Sequence, residues 1–456
     1  MHVNALIRAT LALVLLAAAA PALGDDAPEA LPPLPPGATE RFVDEPVFQG
    51  RARLVEAGPA DAPAVVLVHG IGAAGAADWY GAIPALAAHY HVIAFDLPGF
   101  GRSDHGNGSY TPLLYATFVK WVVDSETRRP IALVGHSLGG AVALRYAAIW
   151  PRDLRRLVIV DAAGILEKSA LMKSQVQRKL AGDGLMTKAR EMAGHLVEKV
   201  GRLPVALEQI WGTAWSRKVF LKSATARTAA LALIDEDFSN LLWRIAAPTT
   251  LLWGADDAVA PRRTADVLAA MLPDARLSVI DGAGHEPMHD QPAAFNARLL
   301  AAIEGPLPPA ARLPGATKSE RVGACNDETD KTFTGAWARL ELHGCTRARV
   351  VDASVGAIIA EDSDLTLERV TIDAVGTGLT VDHGEVTATA VRIHAATGID
   401  VNDAHLDLAG VSIEATEAAI VARDASQAVF SACRVKSPHT TGGLHGLRRL
   451  TDGAPL

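Results

Sequence analysis

Three features are scarce or missing in this sequence: cysteine, basic charge, and apolar runs long enough to cross a bilayer. An odd number of cysteines, three in 456 residues, leaves at least one thiol free or paired between chains. A formal net charge of -8 gives no indication of a nucleic-acid partner. The sequence also lacks a metal-ligand cluster and a phosphate-cradling loop, so we predict no metal and no cofactor. What remains is an ordinary globular composition in a chain too long for one core, which indicates two or more domains.

The first residues have the pattern of a secretory signal. Arg8 supplies a positive start, an apolar run rich in Ala and Leu follows, and small residues such as Ala22 and Gly24 suit a cleavage site. We therefore predict a signal peptide over residues 1–24 and an exported protein, periplasmic or secreted, with no transmembrane span after signal removal. An uncleaved signal that tethers the protein to a membrane is the alternative.

Two Pro-rich segments divide the remaining chain. Residues 25–39 and 305–320 are predicted as linkers. Between them, over residues 40–304, short apolar strands alternate with helical stretches, which indicates an α/β fold with a parallel sheet buried on both faces. A repeat domain is predicted over residues 321–437, followed by a tail, residues 438–456. The clearest strands of the α/β region are Ala64–Val68, Val92–Phe95, Ile131–Val134, Leu157–Val160, Thr249–Trp253 and Leu277–Ile280.

Strand signals stop between residues 163 and 247, where helix-forming residues dominate. An all-helical insertion at this point of the chain would sit over the carboxyl edge of the sheet. Open α/β sheets bind ligands at that edge. We therefore predict that residues 163–247 form a helical lid.

The C-terminal region carries a repeat of about 20 to 21 residues, which is typical of a stacked solenoid. Short apolar segments align in three columns: Ile358–Ala360, Leu379–Val381, Ile399–Val401 and Ile420–Ala422; then Leu365–Leu367, Val386–Ala388, Leu406–Leu408 and Val429–Phe430; then Val370–Ile372, Val391–Ile393, Val411–Ile413 and Cys433–Val435. The pattern resembles a right-handed parallel β-helix. It carries no constellation of catalytic residues, so we favour a binding, spacing or assembly module that contacts carbohydrate or protein.

The repeat also bears on cysteine pairing. Cys345 and Cys433 are predicted to share the inward position of Val370, about four coils or roughly 19 Å apart. A disulfide needs Cα atoms within roughly 7 Å, so these two cysteines should not pair. A Cys325–Cys345 disulfide and two buried free thiols remain as alternatives.

The strongest chemical signal is the segment Gly135–Gly140 (GHSLGG), between a predicted strand and a helical stretch. Gly-x-Ser-x-Gly in this context is a nucleophile elbow. Its turn is sharp and strained, so a side chain at either flanking glycine would collide with backbone. Ser137 is thereby held above the sheet at a helix N-terminus, where developing negative charge is favoured.

A serine nucleophile needs a base, and the base needs an orienting carboxylate. His285 follows one predicted strand, in the sequence GAGH. Asp256 and Asp257 follow another, and Asp161 is a weaker third candidate at a strand end. His289 is a rival base, but it lacks the glycines that precede His285 and we interpret it as a surface residue. Parallel strands end at one edge, so base and acid are expected beside the nucleophile.

Together these motifs resemble the α/β-hydrolase superfamily over residues 40–304. The resemblance rests on Leu67–Gly70 (LVHG), Asp96–Ser103 (DLPGFGRS), the elbow, Trp253–Asp257 (WGADD) and Gly284–His285. It implies an α/β-hydrolase fold with a helical cap, and it selects Asp257 as the acid through the pattern Gly-x-x-Asp. It also implies an oxyanion hole from the backbone N–H groups of Ile71 and Leu138, with Gly72 replacing Ile71 if the loop is shifted.

The nucleophile type narrows the expected reaction. Relatives that open epoxides or displace halide carry Asp at the elbow, so Ser137 favours acyl transfer with His285 as the base and Asp257 as the orienting acid. We expect a serine hydrolase, carboxylesterase- or lipase-like, acting on a small-molecule or polymer-bound ester. A carbon–carbon bond hydrolase with the same triad, and a binding protein whose β-helix carries the function, are the alternatives.

Overall fold

The structure, a computed structural model, describes residues 31–456 except 107, 128–129, 169, 171–210, 222–223, 307, 311, 425 and 452–454. The predicted signal peptide and residues 171–210 of the predicted lid therefore lie outside the described residues. In the part of the chain that is described, no helix has the length and apolar character needed to cross a membrane. The chain forms two compact units: one holds the described residues up to 236 with 245–265 and 274–309, and the other holds 237–244, 266–273 and 310–456.

The first unit is built on an eight-stranded sheet. Its strands are β1 (Thr39–Glu45), β2 (Gly50–Ala57), β3 (Ala64–Val68), β4 (His91–Phe95), β5 (Ile131–His136), β6 (Leu154–Val160), β7 (Thr249–Gly254) and β8 (Ala275–Ile280). Their order is β1-β2-β4-β3-β5-β6-β7-β8; the β1–β2 and β2–β4 pairs are antiparallel, and the pairs from β4–β3 to β7–β8 are parallel. Every residue of β3, β5 and β7 is buried, as expected for central strands covered on both faces.

Helices connect these strands. They are α1 (Ile83–Ala87), α2 (Pro112–Glu126), α3 (Leu138–Ile149), α4 (Ala214–Phe220), α5 (Thr225–Ile234), α6 (Arg262–Met271), α7 (Pro287–Asp290) and α8 (Pro292–Glu304), with short 3-10 helices at Gly75–Trp79, Pro151–Asp153 and Leu242–Arg244. Local sequence explains their starts. At α2, the Thr111 side chain accepts a hydrogen bond from the Leu114 N–H and proline takes the first helical position. Helices α4 and α5 fall within the range predicted to be a lid.

Alternate residues of the strands form two buried layers. On one face, Val65, Leu67 and their neighbours form a cluster with Trp79, Phe295 and Leu299 from the flanking helical segments. The rings of Trp79 and Phe295 have their centroids 6.3 Å apart. Because strand side chains point alternately to opposite faces, one sheet can anchor helices on both sides. This packing holds the carboxyl ends of β5 to β8 in a fixed row.

The second unit is a seven-stranded, mostly parallel sheet. Its strands are β9 (Val322–Asn326), β10 (Thr332–His343), β11 (Ala348–Asp373), β12 (Thr377–Ala409), β13 (Ser412–Ala422), β14 (Ser426–Lys436) and β15 (Thr441–Leu450). The order is β15-β14-β13-β12-β11-β10-β9; among these described strands, β14 and β15 pair antiparallel and the other neighbours pair parallel. The register confirms the predicted columns: Ile358 pairs with Leu379, and Val370 with Val391.

The structure settles the cysteine pairing and corrects one register. Cys325 and Cys345 form a disulfide with a Cα–Cα distance of 6.3 Å, and Cys433 is buried outside any disulfide. The Cys345 N–H donates to Ser363 Oγ at 2.9 Å, so residue 345 lies opposite residue 363. The predicted position of Cys345 in the Val370 column was therefore wrong. The first two steps of the repeat are shorter than the later ones: Leu340 pairs with Gly323, 17 residues back, and with Ile358, 18 residues on.

Candidate active site

Ser137 occupies a strained turn between β5 and α3. Its backbone angles are φ 51° and ψ -115°, a region that costs a residue with a side chain about 1–3 kcal/mol. The Ser137 N–H donates to the Val160 carbonyl oxygen of β6 at 3.0 Å, which ties the turn to the neighbouring strand. The side chain is nearly buried, with 7% of the residue exposed. The fold therefore holds this hydroxyl in one place above the strand ends.

Two glycines make this turn sterically feasible. A Cβ at Gly135 would lie 2.1 Å from the Gly139 carbonyl oxygen. A Cβ at Gly139 would lie 2.2 Å from the carbonyl oxygen of Val68 in β3. Both obstacles are backbone atoms that cannot rotate away, so any larger residue would force the elbow away from its neighbours.

Three side chains that the sequence predicts for one site are brought together by the fold. His285 follows β8, and its Nε2 lies 2.9 Å from Ser137 Oγ. The other ring nitrogen, Nδ1, lies 2.8 Å from Asp257 Oδ2 in the loop after β7. Serine and histidine are 148 residues apart in the chain, so only the sheet topology joins them. The arrangement can pass a proton from the hydroxyl to the imidazole.

Asp257 is held by hydrogen bonds in addition to that from His285. Its Oδ1 accepts from the N–H groups of Val259 and Ala260 at 2.7 and 2.9 Å. The buried Trp253 indole donates to the Ala260 carbonyl oxygen at 2.9 Å, which fixes the loop. Burial opposes ionisation of Asp257, but the hydrogen bond and positive charge of His285, together with the backbone donors, hold its pKa below its usual range.

The alternative acids and the rival base occupy different surroundings. Asp256 is exposed, and its N–H donates to the Ala283 carbonyl oxygen at 2.9 Å. Asp161 is completely buried after β6 and accepts a hydrogen bond from the Gly254 N–H at 2.9 Å. The half-exposed His289 points to Asp78, 3.9 Å away. The nearby carboxylate of Asp78 raises the pKa of His289.

The loop after β3 lies beside the serine. A Cβ at Gly70 would lie 3.0 Å from the Ser137 Cβ, so the backbone leading to Ile71 passes directly next to this serine. His69 braces this loop: its Nε2 accepts from the Leu97 N–H at 2.9 Å, leaving Nδ1 to donate to the Gly70 carbonyl oxygen at 2.6 Å. Ser137 also directly precedes Leu138, the first residue of α3. Both predicted oxyanion segments therefore adjoin the serine.

His136 is a site residue that sequence reasoning did not single out. Its Nε2 lies 2.7 Å from the carbonyl oxygen of His285, and the two rings have their centroids 5.0 Å apart. Burial, and then the charge of His285, lower the pKa of His136 to about 4. The sequence signal that could have identified His136 is its position in the elbow motif, directly before Ser137.

Comparisons with known proteins agree with this geometry. The model of the alpha/beta hydrolase fold family matches residues 63–292, and the chain belongs to this family. An uncharacterized protein of Mycobacterium tuberculosis is 29% identical over 256 residues, covering 51% of this chain and 73% of that protein. The pimeloyl-[acyl-carrier protein] methyl ester esterase of Aeromonas hydrophila is 30% identical over 245 residues, covering 51% and 92%. The 2-hydroxy-6-oxo-6-phenylhexa-2,4-dienoate hydrolase of Burkholderia cepacia is 28% identical over 270 residues, covering 57% and 94%. A hydrolase is therefore the class to which fold and family assign the chain.

Proposed function

We propose that the protein is a serine hydrolase that cleaves carboxylic esters through an acyl-enzyme on Ser137. The observation that carries this proposal is the continuous chain of hydrogen bonds from Ser137 Oγ through His285 to Asp257. A hydroxyl, an imidazole and a buried carboxylate in this order are the elements of nucleophilic acyl transfer. Ser137 would act as the nucleophile, His285 as general base and then acid, and Asp257 as the orienting acid.

The geometry supports each step of that reaction. His285 Nε2 takes the Ser137 proton while Oγ attacks the ester carbonyl. Asp257 accepts the hydrogen bond from Nδ1 and stabilises the imidazolium that forms. Collapse of the tetrahedral intermediate expels the alcohol, which takes the proton from His285. A water molecule, activated by the same imidazole, then hydrolyses the acyl-enzyme.

The negative charge on the tetrahedral oxygen needs fixed donors. We propose the backbone N–H groups of Leu138 and Ile71 for this role. Leu138 begins α3, whose N-terminus favours negative charge, and the close approach of Gly70 to Ser137 supports the placement of Ile71. Removing one such donor typically slows acyl transfer by about 10²–10³-fold.

The names of the relatives support an ester substrate, and one of them also supports a ketone substrate without an ester. The Aeromonas hydrophila relative is named a methyl ester esterase. The Burkholderia cepacia relative is named for a substrate that carries a ketone next to a phenyl group and no ester. A hydrolase acting on such a compound breaks a carbon–carbon bond, and the Ser137 triad can serve that reaction as well. We therefore retain carbon–carbon bond hydrolysis of a diketone-like compound as the second candidate.

We further propose that the protein is exported and that its C-terminal unit is a right-handed parallel β-helix serving as a binding module. The predicted signal sequence and the Cys325–Cys345 disulfide support export, because disulfides persist in oxidising compartments. The parallel register, with a step of 21 residues between Ile358 and Leu379, supports the β-helix. Fractionation of cells expressing the full chain, with sequencing of the mature N-terminus, tests the export.

A fluorophosphonate probe tests the nucleophile. Wild type should be labelled, Ser137→Ala should not, and Ser125→Ala, which removes an exposed hydroxyl on α2, should be labelled like wild type. Absence of labelling in wild type would instead favour a binding protein with an inactive hydrolase unit. Product analysis on p-nitrophenyl esters and on a vinylogous diketone then separates ester from carbon–carbon bond cleavage.

A further inference from the structure

Asp161 lies between the strands that carry the nucleophile and the triad acid. It directly follows β6, which is flanked in the sheet by β5, leading to Ser137, and β7, leading to Asp257. Its side chain is completely buried, and its backbone has φ 42°. The Asp161 N–H donates to the Leu252 carbonyl oxygen of β7 at 3.1 Å. The fold therefore places a second carboxyl group against the triad, in a backbone conformation that few residue types accept.

Hydrogen-bond donors are unequally divided between the two carboxyl groups. Asp257 accepts from two backbone N–H groups and from His285 Nδ1. Asp161 Oδ1 accepts from the Gly254 N–H. Its Oδ2 is buried, and no donor among the described residues reaches it. An oxygen in that position is satisfied if it carries a proton and donates it.

The neighbouring charges also favour a negative charge on Asp257 and a neutral Asp161. Burial raises the pKa of Asp161 to about 10, with the charge of Asp257 as the next cause and that of Asp290 adding to it. The neighbouring Asp161 side chain in turn helps to lower the pKa of Asp257. Two carboxylates sharing a dry site cannot both ionise, and the charge resides on the one with more donors.

We propose that Asp161 is a neutral carboxylic acid whose hydroxyl donates a hydrogen bond to the Asp257 carboxylate, which makes it a positioning residue of the triad. This inference rests on the function proposed for Asp257. The added hydrogen bond fixes the carboxylate that orients His285. Neutrality of Asp161 also spares His285 a second negative charge, which would stabilise the imidazolium in the free enzyme and reduce the fraction available as a base.

Two variants that both accept a positive φ separate the roles of charge and hydrogen bond. Asp161→Asn keeps a donor and an acceptor and stays neutral, so kcat/KM should stay within about threefold, with the acid limb of its pH profile unmoved. Asp161→Gly removes both hydrogen bonds, so kcat should fall about tenfold or more with little change in KM. A downward shift of the acid limb in Asp161→Asn by about one pH unit would overturn the proposal, because it would mean that the native side chain is charged.

An infrared difference spectrum reports the protonation state without any activity. Wild type at pH 8 should show the carbonyl stretch of a neutral carboxylic acid, and the band should vanish in Asp161→Asn. Asp281→Asn, a change at an exposed position in the loop after β8, should keep it. A wild-type spectrum identical to that of Asp161→Asn in this region would overturn the inference. If the band is found but Ser137 is unreactive, the proposed function fails and the assignment to Asp161 stands.

Discussion

The ring of His136 is joined to the backbone of His285, with Nε2 lying 2.7 Å from the carbonyl oxygen. Because a carbonyl oxygen only accepts, Nε2 carries the proton and Nδ1 is the bare nitrogen of the neutral ring. This bond connects the elbow to the loop that carries the proposed base, and it uses neither Ser137 Oγ nor His285 Nε2. It therefore helps to hold Ser137 and His285 at a fixed distance without itself taking part in the proposed reaction.

The environment of His136 predicts a loss of stability in acid. Its pKa is lowered from 6.5 to about 4, so the unfolded chain binds a proton in this window that the folded protein does not. The free energy of unfolding should therefore fall as the pH drops from 6.5 to about 4. His136→Gln keeps an N–H donor and removes the titration, so its Tm should fall less between pH 7 and pH 4.5. Circular dichroism melts of the two proteins at both pH values measure this, and equal losses would contradict it.

A second prediction distinguishes the two adjacent aspartates. Asp257→Asn should lower kcat by an amount on the order of 10⁴-fold, because the amide favours the wrong imidazole tautomer of His285. The matched variant Asp256→Asn changes an exposed side chain and should keep kcat within about twofold. Steady-state kinetics on a p-nitrophenyl ester provide the measurement. Comparable losses in both variants would mean that the loop, and not one carboxylate, is being probed.

Much of the first unit could be predicted from the sequence, because its signals are local. Each of the six apolar runs lies within a strand from β3 to β8. The strands β1 and β2 were missed. β1 is largely exposed and carries no continuous apolar run. The choice between Asp256 and Asp257 could not be made from position alone, because it depends on which of two neighbours turns inward.

In the C-terminal unit, the local sequence pattern predicted most of the strand register correctly but misplaced one residue. The columns containing Ile358 and Val370 were predicted correctly because their steps stay close to 21 residues, as in the pairs Ile358–Leu379 and Ile399–Ile420. The earlier strands, β9 to β11, pair at shorter steps, and Cys345 was consequently given the wrong place. Side-chain alternation identifies strands, but the register between paired strands also depends on the length of the turns that connect them. The role of His136 was missed for a related reason: its partner is a backbone atom far along the chain.

The close approach of Gly139 to β3 gives a prediction about stability. Gly139→Ala would place a Cβ 2.2 Å from the Val68 carbonyl oxygen, so backbone must move. We expect the free energy of unfolding to fall by about 2–4 kcal/mol. Gly81→Ala is the control, because a Cβ there meets nothing within 4 Å. Urea unfolding monitored by tryptophan fluorescence tests the pair, and a Gly139→Ala protein as stable as Gly81→Ala would disprove the steric argument.

The disulfide in the second unit should contribute measurably to its stability. Cys325 and Cys345 are 20 residues apart, and closing a loop of this size stabilises a fold by about 3 kcal/mol. A reducing agent should lower the Tm of the wild-type protein, whereas the double variant Cys325→Ala/Cys345→Ala should melt at the same temperature with or without it. Sensitivity of the double variant to the reducing agent would assign the effect to something other than this bond.

The reversed direction of β15 has a consequence for molecules that meet in solution. A stack of parallel strands ends in a row of N–H and C=O groups that could template a strand from a second molecule. β15 runs antiparallel along β14, from the Lys436–Thr441 pair to the Ser426–Leu450 pair. A strand arriving in the parallel register of β13 and β14 would find that row already occupied by β15. A second molecule joining this end of the sheet would have to pair with β15, the last strand in the order, so the parallel stack cannot continue directly from β14.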